Sequence, residues 1–176
     1  MSALFNGTWR LDTSQSDVWD PARERYVPDE VGEEIITIDV VDGVQNYEVL
    51  YGDDPVIRMG YTSRYDAPDW VDYAVRDIEA RDGEDVEHAV ERFRRRIKAT
   101  EGTNYRQFAV GACYAQVRLV YVNERYHYRV ARYADSGEPQ NMLLRWMESD
   151  LSAYRTSTLD AEGRVNRHRR FVREGK

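Results

Sequence analysis

The sequence predicts a mainly β fold, an antiparallel barrel or a sandwich that carries one α-helix. Short runs rich in Val, Ile, Thr and Tyr recur along the chain, and these residues favour strands. Turn signals such as Asp42-Gly43 and Asp135-Ser136-Gly137 separate the runs, as in a meander of short strands. A cone-shaped α+β domain with a curved sheet is the alternative, but it needs more helix than the sequence offers.

The predicted strands are spread over the whole chain. They lie at 4–11, 34–40, 45–51, 56–65, 73–80, 106–110, 115–122, 127–133, 141–147, 154–159 and 165–173. The long connection at 12–33 is polar except for isolated aromatic residues such as Trp19 and Tyr26. Loops of that length are usually functional, so we expect a lid across a barrel mouth. The alternative is a loop pinned to the outer wall.

Residues 84–98 break the strand pattern and predict a helix over about 84–99. Apolar side chains recur there at the spacing of one helical face, at Val86, Ala89, Val90, Phe93 and Ile97. The first turn is acidic and the last is basic, which complements the helix macrodipole, and Gly102 follows as a stop signal. We expect this helix to pack on a side of the barrel or across one end.

Composition limits the classes of function. The chain has 176 residues and no internal repeat or linker, so we predict a single domain spanning 1–176. Its net charge of -7 argues against a nucleic-acid partner. The single cysteine and the lack of metal-ligand spacing predict no disulfide and no metal site, and indicate a reducing compartment. Because no apolar stretch is long enough to cross a bilayer, we predict a cytoplasmic protein with no membrane partner.

The first predicted strand carries a Gly-x-Trp motif, Gly7-Thr8-Trp9. This motif and the order of strands and loops after it resemble the calycins, the superfamily of lipocalins and fatty-acid-binding proteins, and in particular small bacterial lipocalin-like proteins. The resemblance implies a lipocalin-like antiparallel barrel with the helix as an insertion. A barrel of eight strands has interior space for side chains or one small ligand. The resemblance also implies that Trp9 closes one end under an arginine of the last strand, which is Arg167, Arg169, Arg170 or Arg173.

Three residues are candidates for acid–base catalysis: His127, Tyr61 and Tyr65. Tyr61 and Tyr65 share one face of their strand, and histidine exchanges a proton near neutral pH. If the three side chains face inward, they can orient a bound carbonyl compound or move a proton on it. If they face outward, they are ordinary strand residues.

A second group consists of candidate ligand-binding residues. Arg118 and Arg145 lie in the middle of strands among apolar residues, where an inward arginine needs an anion. Periodicity does not say which way they face. The other candidates are aromatic or basic side chains that a cavity or its lid would present, namely Trp19, Tyr26, Tyr128, Arg129 and Tyr133.

Two hypotheses for the function follow. In the first, the protein binds a small aromatic or amphipathic organic molecule inside the barrel, a role compatible with a homodimer. In the alternative, the same cavity belongs to a cofactor-free lyase, isomerase or hydratase. The sequence contains no nucleophile elbow, Walker loop or dinucleotide-binding glycine motif, so neither hypothesis includes a cofactor.

Overall fold

A computed structural model of the chain describes residues 3–101 and 108–175, with the side chains of 97–101 left out of the description. The strands are β1 (Gly7–Leu11), β2 (Asp17–Asp20), β3 (Arg25–Pro28), β4 (Glu34–Val41), β5 (Val44–Tyr51), β6 (Val56–Arg64), β7 (Val71–Glu79), β8 (Cys113–Asn123), β9 (Tyr126–Arg132), β10 (Pro139–Met147), β11 (Ala153–Asp160) and β12 (Val165–Arg173). One α-helix, α1 (Val86–Glu101), lies between β7 and β8.

The strands form a closed antiparallel barrel, which confirms the predicted fold class. Ten strands take part, in the order β1, β4 through β12, and the pairing of β1 with β12 closes the ring. The barrel therefore has two more strands than the eight of a small lipocalin-type barrel. The hairpin between β4 and β5 turns at Asp42 and Gly43, which both have positive φ, at 50° and 76°, as a two-residue hairpin loop requires.

The connection predicted as a lid forms a hairpin instead. Strands β2 and β3 pair with each other, and β2 pairs with β12 at Val18 and Asp17. The hairpin thus extends the sheet along the edge of β12 that β1 leaves open. The predicted strand at 106–110 lies partly outside the described residues, and 108–110 form no strand.

Trp9 closes one end of the barrel, as the resemblance implies. It is fully buried, and its indole Nε1 donates to the carbonyl of Phe5 at 2.8 Å. The resemblance allowed four arginines to cover Trp9. Arg173 is the one that packs on the indole ring, with its guanidinium carbon 4.1 Å from the ring centroid. A Cβ atom at Gly7 would lie 2.7 Å from Nη1 of Arg173. The glycine of the motif therefore makes room for the arginine that covers the tryptophan.

Helix α1 covers the opposite end, so the predicted helix is confirmed. It begins two residues later than predicted because the Asp85 carboxylate caps it, accepting from the backbone N–H groups of Glu87 and His88 at 3.0 and 3.1 Å. Phe93 is buried 5.5 Å from the ring of Tyr51, at the end of β5. Within the described part of the chain, no helix has the length and apolar character needed to span a membrane.

Candidate functional site

A cavity of about 100 Å³ lies inside the barrel between the two covered ends. Its walls combine tyrosine rings with polar and cationic side chains, unlike the aliphatic lining of a purely apolar cavity. The residues that line it include Tyr47, Tyr73, Glu34, Arg129, Arg145 and Arg169.

Arg169 is a buried arginine with two carboxylate partners. Its Nε donates to Asp29 at 2.5 Å and its Nη1 to Glu34 at 2.6 Å, and all three side chains are buried. Burial by itself would raise the pKa of Asp29, but the charge and the hydrogen bond of Arg169 outweigh it and lower that pKa below its usual value. This cluster ties the segment before β4 to the last strand.

Arg129 and Arg145 also enter the barrel, but neither has a carboxylate partner. Among the residues that the structure describes, no Asp or Glu forms a salt bridge with either one, and the Nε atom of each is buried without a hydrogen-bond partner. Both guanidinium groups face the ring of Tyr47, at 5.9 Å from Arg129 and 5.4 Å from Arg145. They are two adjacent cations held mainly by aromatic rings and hydroxyls.

The tyrosines around these arginines are neutral and do not balance their charge. Burial raises the pKa of Tyr47 to about 12. Burial likewise raises the pKa values of Tyr73 and Tyr154 well above the usual value of a phenol. The hydroxyl of Tyr154 is buried and, in the described structure, has no hydrogen-bond partner. The cavity therefore carries net positive charge and unused hydrogen-bonding groups.

The three predicted catalytic residues lie together in one hydrogen-bonded chain. The hydroxyl of Tyr61 donates to Oε1 of Gln45 at 2.9 Å, and Nε2 of Gln45 donates to the hydroxyl of Tyr65 at 2.6 Å. His127 contacts that hydroxyl through Nδ1 at 3.1 Å, and Nη1 of Arg145 donates to its Nε2 at 3.1 Å. The chain lies between the cavity and the closed end, where the ring of Phe5 is 4.4 Å from His127.

The arginine fixes the protonation of His127. A guanidinium only donates, so Nε2 must accept and the neutral ring carries its proton on Nδ1. Burial, followed by the charges of Arg145 and Arg129, lowers the pKa of His127 well below its usual value. His127 is therefore a neutral acceptor that orients Arg145, and it has no nitrogen free to take a proton from a bound molecule.

The other predicted site residues divide between the inside and the outside of the barrel. Arg129 and Arg145 line the cavity. Arg118 lies on the outer wall, where its Nε donates to the carbonyl of Ala67. The remaining candidates do not line the cavity: Trp19 and Tyr26 contact each other on the β2–β3 hairpin, Tyr128 faces outward from β9, and Tyr133 lies in the turn after β9.

Sequence reasoning missed the residues that share the cavity with the two arginines. Glu34 alternates with Ile36 and Ile38, and Tyr47 alternates with Gln45 and Val49. Assigning the inward face of β4 and β5 from these apolar partners would have found Glu34 and Tyr47. Asp29 lies in an irregular segment, and no periodic signal marks it.

Comparison with known proteins bears on the fold. No family model matches the sequence, and no curated protein does either. Among solved structures, the chain is similar to the Schistosoma mansoni fatty acid binding protein in complex with arachidonic acid, with a TM-score of 0.56, 11% sequence identity and 98% of each chain covered. The likeness shows that the two chains share an antiparallel β-barrel fold. At this level of identity the likeness extends to the barrel alone, and the content of the cavity has to be inferred from this chain's own residues.

Proposed function

We propose that the protein binds a compact organic acid inside the barrel, with its carboxylate on Arg129 and Arg145. The observation that carries the proposal is a pair of guanidinium groups, on the buried Arg145 and the half-buried Arg129, that face one cavity and have no carboxylate partner among the described residues. A buried, unpaired charge costs several kcal/mol. An anionic ligand offsets that cost, and arginine binds carboxylates through charge-assisted hydrogen bonds.

The size of the cavity limits the ligand. An apolar cavity of about 150 Å³ accommodates benzene, so a cavity of about 100 Å³ accommodates an acid with a few heavy atoms. A long-chain acid such as the arachidonic acid named with the structural relative would need a much larger space. The tyrosine walls favour an amphipathic acid with a short apolar part.

The alternative of a cofactor-free lyase, isomerase or hydratase lacks support. It needs a residue that exchanges a proton with the substrate. His127 is neutral, with both nitrogens engaged, and Tyr61 and Tyr65 are hydrogen-bonded to Gln45 beneath the cavity. Ligand binding needs no proton transfer, because the guanidinium groups of Arg129 and Arg145 are already charged and face the cavity.

Calorimetric titration with a series of unbranched acids from acetate to decanoate tests the proposal. We expect measurable binding by the short acids, weaker binding as the chain lengthens, and no binding by the matching carboxamides, which have the same shape without the charge. Arg129→Met should weaken binding at least about tenfold, as expected for a hydrogen bond to a charged group. Arg118→Met, a matched change on the outer wall, should leave the affinity within about twofold.

Two results would contradict the proposal. Equal binding of acids and carboxamides would mean that the charge of the arginines has no role in recognition. Binding of decanoate but not of acetate or butyrate would mean that the cavity opens to accept long chains, as in a fatty-acid carrier.

A further inference from the structure

Two β-bulges interrupt the barrel beside the cavity, one in β10 and one in β12. In β10 the pairing with β9 shifts beside Asn141, so Gln140 is the extra residue. In β12 the pairing with β11 shifts beside Arg167, so Asn166 is the extra residue. Both bulges flank the end of β11. A bulge changes the direction of a side chain, and bulges are frequent at the rims of barrels and beside functional sites.

The bulges bring additional amide side chains to the cavity. Neighbouring residues of a regular strand point to opposite faces of the sheet. Here the neighbours Gln140 and Asn141 both line the cavity, and so do the neighbours Asn166 and Arg167. The backbones of β10 and β12 are two strand spacings apart, about 10 Å, so side chains from both strands can reach one ligand. We call Gln140, Asn141 and Asn166 the amide subsite.

The amide subsite has hydrogen-bonding groups that the described residues do not use. Gln140 is only 5% exposed, and its Oε1 accepts from Nδ2 of Asn141 at 3.1 Å. In the described part of the chain, Nε2 of Gln140 and the Oδ1 atoms of Asn141 and Asn166 are buried with no hydrogen-bond partner. Two amides joined by one hydrogen bond keep a donor and an acceptor, whichever of them donates. Because buried polar groups are almost always hydrogen-bonded, the subsite fits a ligand group that both donates and accepts.

The register places the amide subsite one step along the barrel from Arg129. Arg129 lies opposite Leu143 of β10, and Asn141 is two residues before Leu143 on that strand. His127 lies opposite Arg145, two residues after Leu143, so it is on the other side of Arg129. A step of two residues is roughly 6.6 Å along a strand. A ligand whose carboxylate binds the two arginines therefore reaches the amides with a group several bonds away.

The chemistry of the subsite selects the kind of group. A second carboxylate only accepts, so the Oδ1 atoms of Asn141 and Asn166 would stay without a donor. An ammonium group only donates, and it would face the positive charges of Arg129 and Arg167. A hydroxyl both donates and accepts. It is also the smallest such group, which suits a cavity of about 100 Å³.

We propose that the ligand is a short hydroxy acid whose hydroxyl, several bonds from the carboxylate, binds in the amide subsite. The inference rests on the proposed function, because the carboxylate on Arg129 and Arg145 positions the rest of the molecule. The arginines thus select an acid, and the amides of the two bulges select a hydroxyl at its far end.

Calorimetric titration with 4-hydroxybutyrate and pentanoate tests the amide subsite, because these acids have the same length and differ by a hydroxyl in place of a methyl group. We expect the hydroxy acid to bind at least about fivefold tighter, as hydrogen bonds to otherwise unpaired buried groups predict. The position of the hydroxyl also matters. 2-Hydroxybutyrate, with its hydroxyl beside the carboxylate, should bind no tighter than 2-methylbutyrate, and succinate should bind more weakly than 4-hydroxybutyrate.

Substitutions separate recognition of the hydroxyl from a structural role through the ratio of the two affinities. Gln140→Met and Asn166→Leu should each reduce the preference for 4-hydroxybutyrate over pentanoate to about twofold or less, while retained binding of pentanoate shows that the cavity is intact. Asn46→Leu, a matched change of an exposed amide on the outer face of β5, should leave the preference unchanged. Arg129→Met should weaken both acids together and also leave the preference unchanged.

The outcomes distinguish this inference from the proposed function. Equal affinities of 4-hydroxybutyrate and pentanoate, a preference that survives both Gln140→Met and Asn166→Leu, or tighter binding of succinate would overturn the amide subsite and leave acid binding in place. If the arginines fail to recognise the acid but the subsite binds the hydroxyl, 4-hydroxybutanamide should bind as tightly as 4-hydroxybutyrate and more tightly than pentanamide. Binding of none of these compounds would overturn both proposals.

Discussion

Two arginines on the inner wall of the barrel lie in the same register row and have opposite surroundings. Arg145 on β10 and Arg169 on β12 both lie opposite Thr156 of β11, so about 10 Å, two strand spacings, separates their backbones. Arg169 is neutralised by Asp29 and Glu34, whereas Arg145 meets His127 and tyrosine rings. The same type of side chain is thus paired with two carboxylates at one position and has no carboxylate partner among the described residues at the other.

Arg169→Met should cause the largest loss of stability. The substitution leaves the buried carboxylates of Asp29 and Glu34 without their shared partner, and breaking a buried ion pair costs about 3–5 kcal/mol. The free energy of unfolding, measured by urea denaturation at pH 7, should fall by that amount. A loss below about 1 kcal/mol would mean that the cluster does not hold the segment before β4 to the barrel.

The stability should also depend on pH through His127. Its pKa is lowered in the folded state, so the unfolded chain binds the proton more readily. The stabilisation is complete above the unfolded pKa of about 6.5 and is lost as the pH falls below it, by at most about 1.4 kcal/mol per pH unit.

His127→Gln removes the titration but keeps a carbonyl that can accept from Arg145. Unfolding curves between pH 7.5 and pH 4.5 should therefore fall more steeply for the wild type than for this variant. Identical slopes would show that His127 titrates normally. The pKa of Asp29 is also lowered, and its effect appears in a separate window, below its unfolded pKa of about 3.9.

Arg129→Met is the counterpart of Arg169→Met and should behave differently. Because no carboxylate of the described residues loses a partner, replacing this half-buried cation by an apolar side chain of similar length should leave the free energy of unfolding within about 1 kcal/mol of the wild type or raise it. Urea denaturation without added acid measures the effect. A loss as large as that of Arg169→Met would show that Arg129 is structural and would remove the distinction between the two groups of arginines.

Arg58→Met extends the comparison to the outside of the barrel. Arg58 pairs with Glu48 at 2.9 Å, but both side chains are well exposed, and exposed ion pairs contribute at most about 1 kcal/mol. We expect a change in the free energy of unfolding of about 0.5 kcal/mol or less, and less still in 1 M NaCl. A loss of about 2 kcal/mol or more would show that burial is not what separates the two kinds of ion pair.

The strands and the helix could be predicted from local patterns. Alternating apolar residues, the Asp42-Gly43 turn and the helical spacing of Val86 to Phe93 each depend on neighbours in sequence. The β2–β3 hairpin could not be predicted in this way. Its strands are four residues long, and one of them forms by pairing with β12, about 150 positions later in the chain.

The candidate site was only partly predictable, because in part of the barrel the outward-facing side chains are as apolar as the inward-facing ones. Alternation shows which side chains share a face but assigns the inner face only when the outer one is polar. Apolar residues flank both arginines, Val117 and Leu119 beside Arg118 and Leu144 and Trp146 beside Arg145, although Arg118 is outside the barrel and Arg145 inside. On β4, where Asp39 and Thr37 mark the outer face, the inward position of Glu34 was readable.

The pairing of the first strand with the last sets the order in which the barrel can form. Arg173 donates to the carbonyl of Asn6, a residue 167 positions earlier, and it covers Trp9. During synthesis, the hairpins from β4 to β11 can pair with their neighbours as they emerge, whereas β1 lacks its second partner until β12 has been made. Ring closure therefore depends on contacts between the two ends of the chain, and chains dominated by such long-range contacts fold in milliseconds to seconds. Until then Trp9 has no arginine above it, so in a variant that lacks the other three tryptophans the fluorescence of Trp9 reports on the final step of folding.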